Sequence, residues 1–293
     1  MLRGKFKQDI VRKRERILLG DYAVVGDIVD IEQKQDYPVI TKVYPRKNFI
    51  SRKAPRMKGA GYRGDRLEQI LVSNISFFVV VTSVYKPFFN NKVLDRFLII
   101  GESSKIPTII VINKTDLDPD NLIEEWVYLY RETGYKVILT SAETGEGIEE
   151  LGEELKGKTS FFWGQSGVGK STLLNSVYPS LNLTTGEISE FTNKGKHSTV
   201  AVRMINTGEN TFIIDTPGVR EIDPYGVLKE DLGHYFIEFE LHINNCKYNT
   251  CTHNHEPDCA VIAAVEAGQI SAERYDSYLR MLETVEEDMN YQA

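Results

Sequence analysis

From about residue 67 the chain alternates short uninterrupted apolar runs with longer stretches whose apolar residues recur every three or four positions. NISFFVVVTSV (74–84), PTIIVINK (107–114) and YKVILTSA (135–142) predict strands buried on both faces, since each is too short and too β-branched for a helix. NNKVLDRFLIIGESSK (90–105) and NLIEEWVYLYRETG (121–134) predict helices between them. KTSFFWGQSGVGKSTLLNSV (158–177) reads as strand, loop and helix, and TVAVRMIN (199–206) with NTFIIDTPG (210–218) as a pair of strands; 181–199 has no clear period. Strands alternating with helices imply an α/β domain around a largely parallel sheet. Before it, YAVVGDIVDIEQ (22–33) and PVITKVYPR (38–46) predict short twisted strands of a small β-barrel, with SRKAPRMKGAGYRGDR (51–66) a basic loop. Beyond Pro224 the pattern is short and irregular, then helical through CAVIAAVEAGQIS (259–271) and AERYDSYLRMLETVEE (272–287). The expected division is 1–66, 67–222 and 223–293.

Charge separates these parts further. The net charge is −7, yet residues 1–66 hold 17 Lys and Arg against 8 Asp and Glu, so the remainder is strongly acidic. Basic residues interleaved with Tyr44, Phe49 and Tyr62 suit the electrostatic and stacking surface that binds RNA. The acidic remainder argues against nucleic acid wrapping around the α/β domain. No stretch approaches the roughly 20 apolar residues of a membrane span, and a basic segment follows Met1, so a cytoplasmic protein with no membrane partner is expected. All three cysteines fall within 246–259, which in a reducing compartment suggests a metal site.

GQSGVGKST, beginning at Gly164, fits the phosphate-loop pattern G-x4-G-K-S/T between an apolar strand and a helix. Gly164, Gln165, Ser166, Gly167, Val168 and Gly169 would turn backbone N–H groups toward phosphate oxygens. Lys170 would supply charge to the β and γ phosphates, Ser171 would ligate Mg²⁺, and Thr172 continues the loop into the helix. Asp215 of IIDTPG would hold the Mg²⁺ shell, and the Gly218 N–H would approach a γ-phosphate. INKTD decides the base. Asp116 can accept two hydrogen bonds from guanine, Asn113 braces the loop and the Lys114 stem covers the ring, whereas adenine lacks the donor pair. In TSAETG, Ser141 and Ala142 form the second guanine loop, with the Ala142 N–H facing guanine O6.

The order is inverted: guanine loops at 113–116 and 140–142 precede the phosphate loop at 164–171 and the Asp-containing loop at 215–218. Rotating the sequence restores the usual order, so a circularly permuted P-loop GTPase domain binding GTP and GDP is expected; surface ends tolerate such permutation. Val219 stands where Ras-like enzymes carry a water-orienting Gln, and valine cannot position water. GKHSTV offers His197 as a catalytic candidate and Thr199 as a second Mg²⁺ ligand, with an ordinary surface histidine as the other reading. Slow intrinsic turnover, stimulated by a partner, follows.

Cys246, Cys251, His253 and Cys259 form C-x4-C-x-H-x5-C, a set suited to one tetrahedral Zn²⁺ with every position taken, hence structural. His255 is a competing ligand.

These features together, with GKHST, DTPGVRE and the tail CAVIAAVEAGQISAERYDSYL, resemble the bacterial family of small-ribosomal-subunit-dependent GTPases known as RsgA (YjeQ/YloQ) over nearly the whole chain. The resemblance implies an N-terminal OB-fold, a central permuted GTPase domain and a C-terminal, mainly helical zinc domain. It further implies GTP hydrolysis coupled to late maturation of the small ribosomal subunit and stimulated by it, with the subunit and its rRNA as partners of a monomer. His197 matches the histidine proposed as catalytic in that family. The family's barrel begins before the stretch matching Arg3–Phe6, so a barrel incomplete at its start is expected, and 52–66 is longer than the usual connection. Two other readings stay open: a guanine-nucleotide sensor with incidental hydrolysis, and a GTPase serving another RNA or protein.

Overall fold

Two antiparallel ribbons begin the described chain in a computed structural model, which describes residues 22–34, 37–54, 68–183, 202–215 and 224–285. Strand β1 (Val29–Gln33) pairs with β2 (Pro38–Val43), and β3 (Phe49–Lys53) pairs with β4 (Glu68–Ser73). β4 begins two residues beyond the expected border at 66 yet pairs back onto β3. The Asp27 carboxylate ties the ribbons, accepting from Arg46 Nε at 2.7 Å and Ser73 Oγ at 2.6 Å. Arg3–Phe6, Tyr62, His197, Thr199, Gly218 and Val219 lie outside the described residues, as does most of the expected basic loop; its start, Ser51–Lys53, is strand.

The central sheet comprises β5 (Phe77–Ser83), β6 (Thr108–Asn113), β7 (Lys136–Thr140), β8 (Thr159–Gly164), β9 (Arg203–Gly208) and β10 (Thr211–Asp215) in the spatial order β7-β6-β5-β8-β10-β9. All neighbours are parallel except the β9–β10 hairpin. The unbroken apolar runs divide between two cores by strict alternation: Phe78, Val80, Ile110 and Ile112 face one, Val79, Val81, Ile109 and Val111 the other. Helices α1 (Asn91–Ser103) and α2 (Glu124–Glu132) cover the first face, and α3 (Ile148–Leu155) and α4 (Lys170–Val177) the second. Full burial of each such side chain contributes about 1.5–3 kcal/mol. Asn90 caps α1 by accepting from the Lys92 and Val93 N–H groups, satisfying donors that a helix start leaves open.

A third core joins α5 (Glu240–Ile243), α6 (Ala260–Glu266) and α7 (Ala272–Thr284), built on Phe236, Phe239, Val261 and Tyr278. It also takes Ile99 from α1, so the helix between β5 and β6 serves two cores at once. Polar contacts lie along that seam: Lys92 Nζ to Asp276 Oδ2 at 2.9 Å and Asn91 Nδ2 to Ser277 Oγ at 3.3 Å. Deeper in, the fully buried Arg274 donates to Asp95 Oδ1 at 2.5 Å and, through Nε and Nη2, to the two Glu238 carboxylate oxygens at 2.6 and 3.0 Å. Asp95 also accepts from Tyr130 OH at 2.7 Å. Among the described residues, no helix is long and apolar enough to cross a membrane.

Candidate nucleotide site and metal centre

The carboxyl ends of β5, β6, β7, β8 and β10 bring the predicted loops together, which is where an open α/β sheet binds its ligand. The phosphate loop leaves β8 at Gly164 and enters α4 at Lys170. A side chain at Gly164 would stand 2.4 Å from the Val81 carbonyl oxygen, so only glycine lets the loop turn so close to β5. Gly169, with φ +90°, would set a Cβ 2.5 Å from Asn113 Nδ2. Gln165, Ser166 and Gly167 are exposed, while Val168 is buried and anchors the loop in the core of α3 and α4. Ser171 and Thr172 occupy the first turn of α4, where backbone N–H groups and the helix dipole favour an anion. Lys170 Nζ pairs with Asp215 Oδ1 at the end of β10, so the cation expected at the phosphates and the carboxylate expected at Mg²⁺ share one point.

The guanine side is fastened to this loop directly. Asn113, almost fully buried, donates from Nδ2 to the Val168 carbonyl at 3.0 Å and accepts from Thr140 Oγ1 at 3.2 Å. Lys114 has left-handed backbone, φ +66°, and its Nζ donates to the carbonyls of Gly167, at 2.6 Å, and Lys86. Burial lowers the Lys114 ammonium from its ordinary value, the Lys86 charge adds to this, and Asp116 opposes it. Ser141 Oγ donates to Asp116 Oδ1 at 2.5 Å, orienting the exposed carboxylate, and Ala142 follows in the same turn. Thr115 Oγ1 donates to Glu146 Oε2 at 2.5 Å, binding the two guanine loops to each other. The structure thus assembles every described residue of the expected nucleotide set. Two contacts on these loops come from residues that motif reading did not single out, Glu146 on Thr115 and Lys86 on Lys114, because neither belongs to a recognisable spacing.

The four predicted metal ligands also converge. Their donor atoms lie within 4.8 Å of one another, with Cys246 Sγ and Cys259 Sγ each 3.5 Å from His253 Nδ1 and 3.9 Å apart. Zinc bond lengths of about 2.3 Å to sulfur and 2.0–2.1 Å to nitrogen require tetrahedral edges of about 3.5–3.8 Å. Burial, reinforced by neighbouring Cys259 and Cys246, pushes the Cys251 thiol up to about 12, and burial lowers His253 so that the ring is neutral. On its own the Cys251 thiol therefore keeps its proton, and a divalent cation would favour the deprotonated donor. The competing His255 is exposed and outside the cluster. Glu256 shapes the loop: its carboxylate accepts from Thr252 N at 2.8 Å, Thr252 Oγ1 at 2.6 Å, Asn254 N at 3.0 Å and His255 N at 3.2 Å. Burial raises its pKa, but these bonds outweigh burial and hold it down at about 2. Tyr275 and Tyr278 donate to the His253 and Thr252 carbonyls, fixing the metal loop on α7.

Comparison with known proteins agrees with this arrangement. A sequence profile of the family described as RsgA GTPase matches residues 43–225. The small ribosomal subunit biogenesis GTPase RsgA of Chlorobaculum tepidum is 41% identical over 273 residues, 92% of this chain and 87% of that protein. Its counterpart from Caldanaerobacter subterraneus is 37% identical, over 97% of this chain and 88% of that protein. Among solved structures, YjeQ from Thermotoga maritima superposes with a TM-score of 0.72 at 32% identity, covering 93% of this chain and 88% of that one. YloQ, described as a circularly permuted GTPase, gives 0.67 at 28% identity over 93% and 83%.

Proposed function

The chain belongs to the RsgA GTPase family, and on that premise we propose that it hydrolyses GTP in a cycle coupled to late maturation of the small ribosomal subunit, which stimulates it. The observation that carries this reading is the direct bonding of the guanine loop to the phosphate loop, Asn113 to Val168 and Lys114 to Gly167. One nucleotide then spans both. Asp116, held by Ser141, accepts from the guanine N1–H and 2-amino groups, while the Ala142 N–H serves O6. The N–H groups from Gly164 to Gly169 and those opening α4 receive phosphate oxygens, with Lys170 exchanging Asp215 for the β and γ phosphates.

The donor chemistry fits Mg²⁺: Ser171 is the second residue of α4, directly after the Lys170 that pairs with Asp215, and Ser171 and Asp215 with Thr199 would hold the ion. When bound, it neutralises charge on the phosphate oxygens. His197 is the candidate to orient the attacking water. The Cys246, Cys251, His253 and Cys259 set would hold one structural Zn²⁺. In this reading the units 1–66, 67–222 and 223–293 are an RNA-facing β domain, the GTPase domain and the zinc domain of a cytoplasmic monomer whose partner is the subunit's rRNA.

The test is GTP turnover by the full chain alone, with small subunits and with large ones. Acceleration confined to small subunits, and lost in His197→Ala, supports the reading. GTP binding with a rate neither subunit changes would overturn the ribosomal assignment and favour a nucleotide sensor.

A further inference from the structure

The loop between β5 and α1, Val84–Asn90, lies between the two halves of the nucleotide site without carrying any nucleotide motif. It is fixed at four points. Ser83, the fully buried last residue of β5, donates from Oγ to the Pro87 carbonyl at 2.8 Å. Val84 N donates to the Asn113 carbonyl at 3.0 Å, directly behind the guanine loop. Phe89 N returns to the Val84 carbonyl at 3.1 Å, closing the loop on itself. The Phe89 ring then packs on Trp126 and Tyr130, with centroids 5.4 and 6.5 Å away.

The loop so held presents the Lys86 carbonyl to the site. Lys86 has left-handed backbone, φ +53°, a conformation unfavourable for a non-glycine residue and kept where the surroundings impose it. Its carbonyl accepts from Lys114 Nζ, whose other acceptor is Gly167 of the phosphate loop. An ammonium has three donors and four flexible carbons behind it. With two donors committed to carbonyls on separate loops, the stem is held in one place. A side chain that covers a purine face must otherwise surrender rotamer entropy on binding.

We infer that the Val84–Asn90 loop is part of the nucleotide site: through the Lys86 carbonyl it pre-positions Lys114 over the guanine face, and Ser83 is the positioning residue that holds that carbonyl in place. The inference rests on the assignment of Asn113–Asp116 to guanine. It locates a determinant of nucleotide affinity in a backbone oxygen and a buried hydroxyl that belong to no nucleotide motif.

The experiment is a double-mutant cycle on GDP affinity in the full chain, read with a fluorescent GDP analogue. Ser83→Ala is expected to raise Kd about fivefold, chiefly through faster dissociation. In a Lys114→Ala background the same change is expected to have less than a 1.5-fold effect, because its only route to the nucleotide is gone. A loss of similar size in both backgrounds, or none in either, overturns the inference, since general loosening acts whether or not Lys114 is present. If Ser83→Ala does not fold, Ser83→Cys, which keeps the volume but only a weak donor, takes its place. Asp116→Asn separates the underlying assignment: exchange of guanine for xanthine nucleotide preference is expected. Unchanged GDP binding in that variant overturns the guanine assignment itself.

Discussion

Replacing Arg274 with methionine should uncouple two cores at once. The guanidinium is 0% exposed and carries three hydrogen bonds to carboxylates on two other segments, Asp95 of α1, itself 0% exposed, and Glu238 before α5. Its plane also lies 4.7 Å from the Phe236 ring centroid. Methionine keeps much of the apolar volume and removes the charge, leaving Asp95 with only the Tyr130 hydroxyl. Removing one partner of a buried pair costs about 3–5 kcal/mol, because the other is stranded in low dielectric. Across a unit of this size that is on the order of 10 °C in Tm.

The assay follows from the position of the two tryptophans. Trp126 and Trp163 both lie on the α1 and α2 side of the central sheet, so urea unfolding monitored by their fluorescence, with zinc saturating, reports the GTPase domain alone. A substitution in α7 that lowers the tryptophan midpoint means that the buried contact across the seam stabilises the GTPase domain. The triple variant Arg274→Met, Asp95→Leu, Glu238→Met should recover most of the loss, since no stranded carboxylate remains. A tryptophan transition moved by less than about 1 kcal/mol in Arg274→Met would refute the reasoning, for the pair would then behave as solvated.

Two further outcomes concern carboxylates of opposite tendency. Glu256→Gln should speed zinc loss to a chelator about tenfold, because four donors that organise the metal loop lose the charge they point at; unchanged metal release would show that the ligands alone shape the loop. Glu102 has its pKa raised, burial outweighing the lowering influence of the Tyr135 hydroxyl and the Arg274 charge, with Glu238 adding to the rise. An acid whose folded pKa is raised costs stability as pH climbs from its unfolded value through the folded one. Glu102→Gln should therefore be more stable than the parent at pH 7 and equal to it below about pH 4, and equal denaturation midpoints at pH 7 would contradict this.

The chemistry was more legible in the sequence than the joints between domains. The phosphate loop, NKTD and the metal ligands are local patterns in which residue type and spacing encode geometry, and the structure brings their described members together. The central strands were legible because apolar runs of fixed length leave few alternatives. β3 and β4 were not, because a basic connection separates two strands whose main partners are each other. α3 is short, and its GIEELGEEL stretch could equally have been a solvated turn. Asp95 did carry a signal. It is an acid at an apolar-phase position of α1, between Leu94 and Phe97. Its partner lies 179 residues away, beyond the reach of any local pattern.

Permutation explains why those joints fall where they do. In the usual chain order the strand ending at the Mg²⁺-side aspartate runs on into the next helix and strand of its own sheet. Here β10 ends at Asp215, paired with Lys170, and by Pro224 the chain has reached the N-terminal ribbons, where Pro224 bridges to Arg52 of β3. Nine residue steps reach at most about 30 Å, so the phosphate side of the site is tied covalently to the meeting point of all three units. Directly beyond, Val227 and Leu232 enter the core that also holds Ile99 of α1. α1 in turn connects the loop touching Lys114 with the strand that delivers Asn113. The two ends of the proposed nucleotide site thus both connect along the chain to the same C-terminal core, from Asp215 to Val227 on the proposed phosphate side and through α1 on the proposed guanine side. An unpermuted domain would offer only the second route, because its β10 exit would be spent on completing its own sheet.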